Sequence, residues 1–181
     1  MNVATVKKYD IANGVGVRVS LFVSGCRHAC PGCFNAVAWD FGYGTPYTEE
    51  TERELLDALR PSYIRGLTLL GGEPFEPENQ AVLLSLLRRV RSELPEKDVW
   101  CYSGFTFEEL TGGNARCATP LTRQLLGMLD VLVDGRYLAD RADISLVFRG
   151  SSNQRILDAK ASLALGRPVP YALPERMAGG R

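Results

Sequence analysis

Residues 17–26 read Val17-Arg18-Val19-Ser20-Leu21-Phe22-Val23-Ser24-Gly25-Cys26. Val17, Val19, Leu21 and Val23 fall on one side of an extended chain, and Arg18, Ser20 and Phe22 on the other, which is the period-2 pattern of a strand. Ser24-Gly25 closes it. Directly behind come Cys26-Arg27-His28-Ala29-Cys30-Pro31-Gly32-Cys33, three cysteines in eight residues. Fold and chemistry therefore meet at one strand end.

Four further short apolar segments, 67–70, 99–102, 131–133 and 144–148, also read as strands. They run into Gly71-Gly72, Ser103-Gly104, Asp134-Gly135 and Arg149-Gly150. Between them, Thr48-Glu49-Glu50-Thr51 opens a helical stretch that turns Leu55, Leu56 and Leu59 to one side and stops at Pro61. Residues 77–94 repeat the pattern with Leu83, Leu84, Leu87 and Val90, ended by Pro95. Strand alternating with helix predicts an α/β fold with about five to six mainly parallel strands, whose carboxyl ends gather the polar loops at one mouth. Five strands cannot close an eight-stranded barrel, so the expected form is open and incomplete.

Composition bounds the rest. At 181 residues the chain suits one domain with a real core. Lys plus Arg number 21 and Asp plus Glu 21, so no basic surplus points to nucleic acid. Residues 1–13 are too polar for a signal peptide, and no run reaches the ~18 apolar residues of a membrane span, so the expectation is a soluble, cytoplasmic protein. Residues 111–119, with Gly and Asn, read as a loop. The domain is expected over 1–158, with 159–181 as a loosely ordered tail.

Five cysteines are an odd number, and a cytosolic domain of this size needs no disulfide staples. Thiolates spaced four and three residues apart on a turn with Pro31 and Gly32 can converge on one small inorganic object. Structural zinc wants four ligands, usually as two separated pairs, and no second C-x2-C or H-x3-H pair exists. An iron-sulfur cubane takes one cysteine per iron, so three cysteines leave one iron open to a chelating amine and carboxylate.

The C-x3-C-x2-C loop followed by Phe34 resembles the signature of the radical S-adenosylmethionine enzymes. The stretch from Asp10 through Asn13-Gly14-Val15-Gly16-Val17-Arg18 to Cys26 is similar to one branch, the activating proteins of anaerobic (class III) ribonucleotide reductases. So are Leu70-Gly71-Gly72-Glu73-Pro74, Val131-Leu132-Val133-Asp134-Gly135-Arg136-Tyr137 and Arg149-Gly150-Ser151-Ser152-Asn153-Gln154. The resemblance covers residues 6–155. It implies an open (β/α) barrel of the radical S-adenosylmethionine type, with Cys26, Cys30 and Cys33 holding a [4Fe-4S] cluster and S-adenosylmethionine on the fourth iron. It also implies that Gly32, Cys33 and Phe34 lie against the adenine, that Gly72 admits the methionyl amine, and that Glu73 adds charge complementarity. No catalytic residue is required beyond cluster and cofactor. The implied partners are the reductase's catalytic subunit, on which a glycyl radical is made, and a low-potential flavodoxin or ferredoxin. Other glycyl-radical enzymes of the pyruvate formate-lyase type and small-molecule radical enzymes are the alternatives within the class. A colourless zinc-binding module is the alternative outside it.

The remaining candidates read more plainly. Asn13-Gly14-Val15-Gly16 lacks the third glycine and the following helix of a dinucleotide loop. His28, the single histidine, is expected at the surface, Cys101 in the core, and Cys117 as an exposed thiol in a polar loop. Arg88, Arg89 and Arg91 read as a solvated helix face, with a weaker claim to dock a partner. Residues 149–154 are expected to bind the partner's peptide or to shape the mouth.

Overall fold

The computed structural model describes residues 1–175. Its strands are β1 (Asn2–Asp10), β2 (Val17–Val23), β3 (Thr45–Pro46), β4 (Ile64–Gly71), β5 (Asp98–Ser103), β6 (Val131–Asp134) and β7 (Arg155–Asp158). The helices are α1 (Glu49–Leu59), α2 (Pro77–Glu93), α3 (Phe107–Gly112), α4 (Thr122–Gly127) and α5 (Ala159–Leu165). They build one seven-stranded sheet in the order β3-β1-β2-β4-β5-β6-β7. The run β2-β4-β5-β6 is parallel, whereas β1, β3 and β7 join antiparallel at the sides. The sheet does not close.

Four of the five expected strands are present, as are both long helices. Thr48 caps α1 through a reciprocal capping box with Thr51, and Leu55, Leu56 and Leu59 are buried as their spacing requires. Pro77 starts α2, which buries Leu83, Leu84, Leu87 and Val90.

Residues 144–148 do not form a strand. Ile144 is fully exposed, and Asp143 turns the chain by accepting from the Ser145 amide at 2.8 Å. Phe148 adopts a positive φ of 54° and sets its ring edge-on to Trp100, with centroids 5.4 Å apart. The place beside β6 goes to β7, whose short Arg-Ile-Leu-Asp run carries too little apolar alternation to be read as a strand. The polar β1 carries little strand signal for a related reason. It is an outer strand on which only Val3 and Asp10 are buried, and β3 covers only Asn2 and Val3.

Part of the expected loose tail is packed. Residues 159–165 are α5, capped by the Asp158 side chain, and Tyr171 donates its amide to Ile156 and lies edge-on to Trp100. Residues 176–181 lie outside the described residues. Within the expected loop at 111–119, α3 continues to Gly112. Cys117 is fully buried, its carbonyl taken by Gln80 and Thr122, so it is not an exposed thiol. Arg91 also departs from a solvated face. Its guanidinium bonds Met128 O and Asp130, fastening α2 to the turn before β6, while Arg89 links α2 to Glu52 of α1.

Alternation along the parallel strands divides the interior in two. Leu67, Leu69, Val99, Cys101 and Leu132 join the main core with the helix leucines. Trp100, Val131 and Val133 point to the other face. There Arg18 is buried completely, with Nη1 2.6 Å from Asp98 Oδ1 and Nε donating to Thr68 Oγ1 at 2.7 Å. Its guanidinium lies 5.4 Å over the Trp100 ring. The Asn13-Gly14-Val15-Gly16 turn folds across it: a Cβ on Gly14 would sit 2.9 Å from Arg18 Cδ. Gly14 makes room for a buried cation, not for a nucleotide, and Gly16 lies against the stem of Arg65.

Removing Arg18 takes the partner of Asp98 Oδ1, although Arg65 stays on Oδ2 at 2.8 Å, and it also empties a filled space over Trp100 and leaves Thr68 Oγ1 without its donor. Arg18→Ala is expected to lower the free energy of unfolding by about 3 kcal/mol in a urea titration. A loss below about 1 kcal/mol would show that Asp98 is solvated well enough without it.

Candidate functional site

The four parallel strands end on the same edge, and their loops surround a cavity of about 540 Å³. That volume lies inside the range of small-molecule sites. Cys26, Cys30 and Cys33 line it from the loop after β2, Gly72 and Glu73 from the turn after β4, and Gly104 from the turn after β5. All five cysteines are free thiols, and the three of the loop are partly exposed. Among the described residues, no three His, Cys, Asp or Glu side chains close on a point the size of a single metal ion. The cysteines border an open space instead.

Main-chain bonds stitch this loop to the turn after β4. Gly72 N donates to Val23 O at 2.7 Å and Glu73 N to Gly25 O at 2.8 Å, while Gly25 N reaches Ala38 O at 2.8 Å. A Cβ on Gly72 would lie 2.5 Å from Gly25 O and 2.8 Å from Ala38 O. The resemblance assigns Gly72 to the methionyl amine. In the fold, the protein's own backbone already fills the space a side chain would need.

Glu73 is buried, and its carboxylate is fully engaged. Oε1 accepts from the Phe75 amide at 2.9 Å and from Ser103 Oγ at 2.9 Å, and Oε2 accepts from the Gly104 amide at 2.7 Å. It holds the ends of β4 and β5 together. His28 is not at the surface as expected: its side chain is 2% exposed, with Nε2 3.2 Å from Glu73 Oε2 and its ring edge-on to Phe105 at 4.3 Å. A Cβ on Gly104 would meet His28 at 2.5 Å, so that glycine is the slot for the ring. Nothing in the spacing around His28 announces this, because the slot is supplied from 76 residues further on.

The thiols sit among groups that pull them both ways. Burial, and then Glu73, pushes Cys26 up to about 12, against hydrogen bonds from the amides of His28 and Ala29. Burial likewise raises Cys30, opposed by the Tyr137 amide and by Arg136. Iron binding here must release protons, and the same amides remain to stabilise the thiolates once formed. Three free thiols at the edge of an open cavity, two of them with amide donors, suit an iron-sulfur cluster.

Phe34 lies at the lip of the cavity with 86% of its surface free. Residues 149–154 form the facing lip. Gln154 Oε1 accepts from the Gly150 and Ser151 amides, its Nε2 donates to Gly135 O at 3.0 Å, and Asn153 Nδ2 donates to Arg136 O at 2.8 Å. These bonds tie the segment to the turn after β6. Cys101 is buried, as its strand position requires.

The scaffold and its thiols define an iron-sulfur domain, and residues 12–157 match the family described as 4Fe-4S single cluster domain. Among curated relatives, the anaerobic ribonucleoside-triphosphate reductase-activating protein of Pasteurella multocida is 48% identical over 158 residues, 86% of this chain and 96% of the relative. The protein of that name from Escherichia coli K12 is 40% identical over 85% of this chain and 96% of its own length. That of bacteriophage T4 is 38% identical over 86% and 93%. The chain belongs to the family of anaerobic ribonucleoside-triphosphate reductase-activating proteins.

Two glycines separate packing from propensity. Gly104→Ala displaces His28 and is expected to cost about 1–3 kcal/mol. Gly112→Ala, at a helical position with nothing within 4 Å, is expected to be neutral or to gain up to about 1 kcal/mol. Thermal unfolding of the two variants checks the order, and equal effects would contradict the slot.

Proposed function

We propose that this chain activates an anaerobic ribonucleoside-triphosphate reductase by making a glycyl radical on it. The observation that carries the reading is the placement of Cys26, Cys30 and Cys33 around an open cavity at the carboxyl edge of a parallel sheet. The names of the relatives support the choice of partner.

In this reading residues 1–158 are a radical S-adenosylmethionine domain, an open relative of the (β/α) barrel. Cys26, Cys30 and Cys33 would hold a [4Fe-4S] cluster, and the cavity beside them would take S-adenosylmethionine. When bound, a [4Fe-4S] cluster would supply the low-potential electron for reductive cleavage of S-adenosylmethionine, the chemistry that yields a hydrogen-abstracting radical for a glycine of the reductase.

The chain's own residues orient and exclude. Gly72 and Glu73 keep the cysteine loop against the strand ends, Gly32, Cys33 and Phe34 offer the adenine a surface, and residues 149–154 hold the facing lip. No proton needs to move, which agrees with a Glu73 committed to internal donors. A protein substrate has to present its glycine through the mouth, and the unclosed sheet leaves that side accessible. The electron comes from a flavodoxin or ferredoxin, and the reaction takes place in the cytoplasm. No helix among the described residues is long and apolar enough to cross a membrane.

The test is electron paramagnetic resonance after anaerobic reconstitution with iron and sulfide, then addition of reductant, S-adenosylmethionine and the reductase subunit. A glycyl-radical doublet is expected, absent with Cys30→Ala. A cluster signal that responds to S-adenosylmethionine without a glycyl radical would move the substrate elsewhere. A colourless protein holding one zinc would overturn the reading.

The facing lip gives a second expectation. Asn153→Ala frees the Arg136 carbonyl, so radical yield on the reductase should fall several-fold while S-adenosylmethionine cleavage without the reductase persists. Unchanged activation would show that this bond does not shape the entrance.

A further inference from the structure

Inside the cysteine loop, Arg27 and His28 hold the arc between Cys26 and Cys30, and Arg27 is held from outside. Its backbone N donates to Glu76 Oε1 at 2.8 Å and its Nη1 to Glu76 Oε2 at 2.7 Å, so one carboxylate grips both main chain and side chain. Its guanidinium also pairs with Glu78 and lies 4.3 Å over the Phe41 ring. Phe41 in turn fills the space beside Gly25, where a Cβ would meet it at 2.3 Å. Glu76 is the residue before Pro77, fixed by the start of α2, and is 0% exposed. A third donor comes from the segment after α3, where Arg116 Nη2 reaches Glu76 Oε1 at 3.1 Å.

A fully buried carboxylate is costly unless several donors satisfy it, and two of the three here come from one bend of the loop. The bend carries no regular secondary structure, and Ala29 within it has a positive φ of 46°. Left alone, such an arc would have to be ordered by the metal, at the expense of affinity. Ordered beforehand, it presents its thiols ready for iron.

We propose that Glu76 is a positioning residue, which through Arg27 sets residues 26–30 in their cluster-binding shape before iron arrives. The proposal rests on the ligand assignment made under Proposed function. Glu76 touches neither iron nor cofactor. Its effect falls on how long the cluster is kept.

The experiment uses the full chain, reconstituted anaerobically and exposed to excess EDTA while the visible absorbance of the cluster decays. Arg27→Ala is expected to lose its cluster about tenfold faster than wild type, the scale on which outer partners of a metal ligand act. Arg27→Lys, which keeps a cation for Glu76, recovers most of the difference. The double variant Arg27→Ala/Glu76→Gln stays as fast as Arg27→Ala. If it returned to the wild-type rate, the single variant's defect would stem from a stranded carboxylate, and the tether would be overturned. Arg27→Ala decaying at the wild-type rate would overturn it as well.

Amide exchange on the iron-free wild type gives a separate reading that needs no variant. The Arg27 amide is expected to be protected by Glu76, and exchange at the free-chain rate would overturn the tether. A wild-type protein that takes up no iron would overturn the ligand assignment instead, while a protected Arg27 amide would still stand as support for the preset shape.

Discussion

The constraint on which the mouth of the sheet depends is the approach of the cysteine loop to the turn after β4. Gly72 and Gly25 pass so near that the oxygen of one occupies the position a side chain would need on the other. The two main-chain bonds that follow, from the amides of Gly72 and Glu73, fix where β2 and β4 end relative to each other. Glu73 then carries the same register across to β5 through Ser103 and Gly104. The edge of the sheet is thus built by backbone and one buried carboxylate, and the thiols inherit its geometry.

Charge is buried on both sides of this edge, in different ways. Beneath it, Arg18 neutralises Asp98 and covers Trp100, closing the far end of the inner face with a polar plug. Beside it, Glu76 gathers two arginines from separate segments. In each case several donors or acceptors meet one ion, the condition under which a buried charge is tolerated. The apolar core lies mainly on the helix-covered face, leaving the inner face free for polar work.

What the chain announces about itself depends on how local the cause is. Alternation in residues 17–23, the capping pair Thr48 and Thr51, and Pro77 before a leucine stripe are local signals, and they mark β2, α1 and α2 correctly. The cysteine spacing is local too, and Cys26, Cys30 and Cys33 all line the one cavity. Outer strands are less legible, because β1 and β7 are ordered by pairing with a neighbour and not by burying an apolar face. Residues 144–148 mislead for the converse reason: their apolar side chains serve Trp100 and the cavity lip, while the backbone has no strand to join. His28 and Cys117 are buried by partners far away in sequence, Gly104 and Gln80, which no spacing rule around either residue contains.

The outer strand has one more consequence. β1 is nine residues long, yet β3 pairs with only its first two, so most of its outer edge offers main-chain donors and acceptors to any extended peptide. Lys7 and Lys8 stand exposed along that stretch, one over the Phe22 ring and the other near Glu54. Two adjacent ammonium groups make the edge a poor template for sheet growth. The charge that guards this open edge therefore comes from a pair of side chains outside the lining of the cavity.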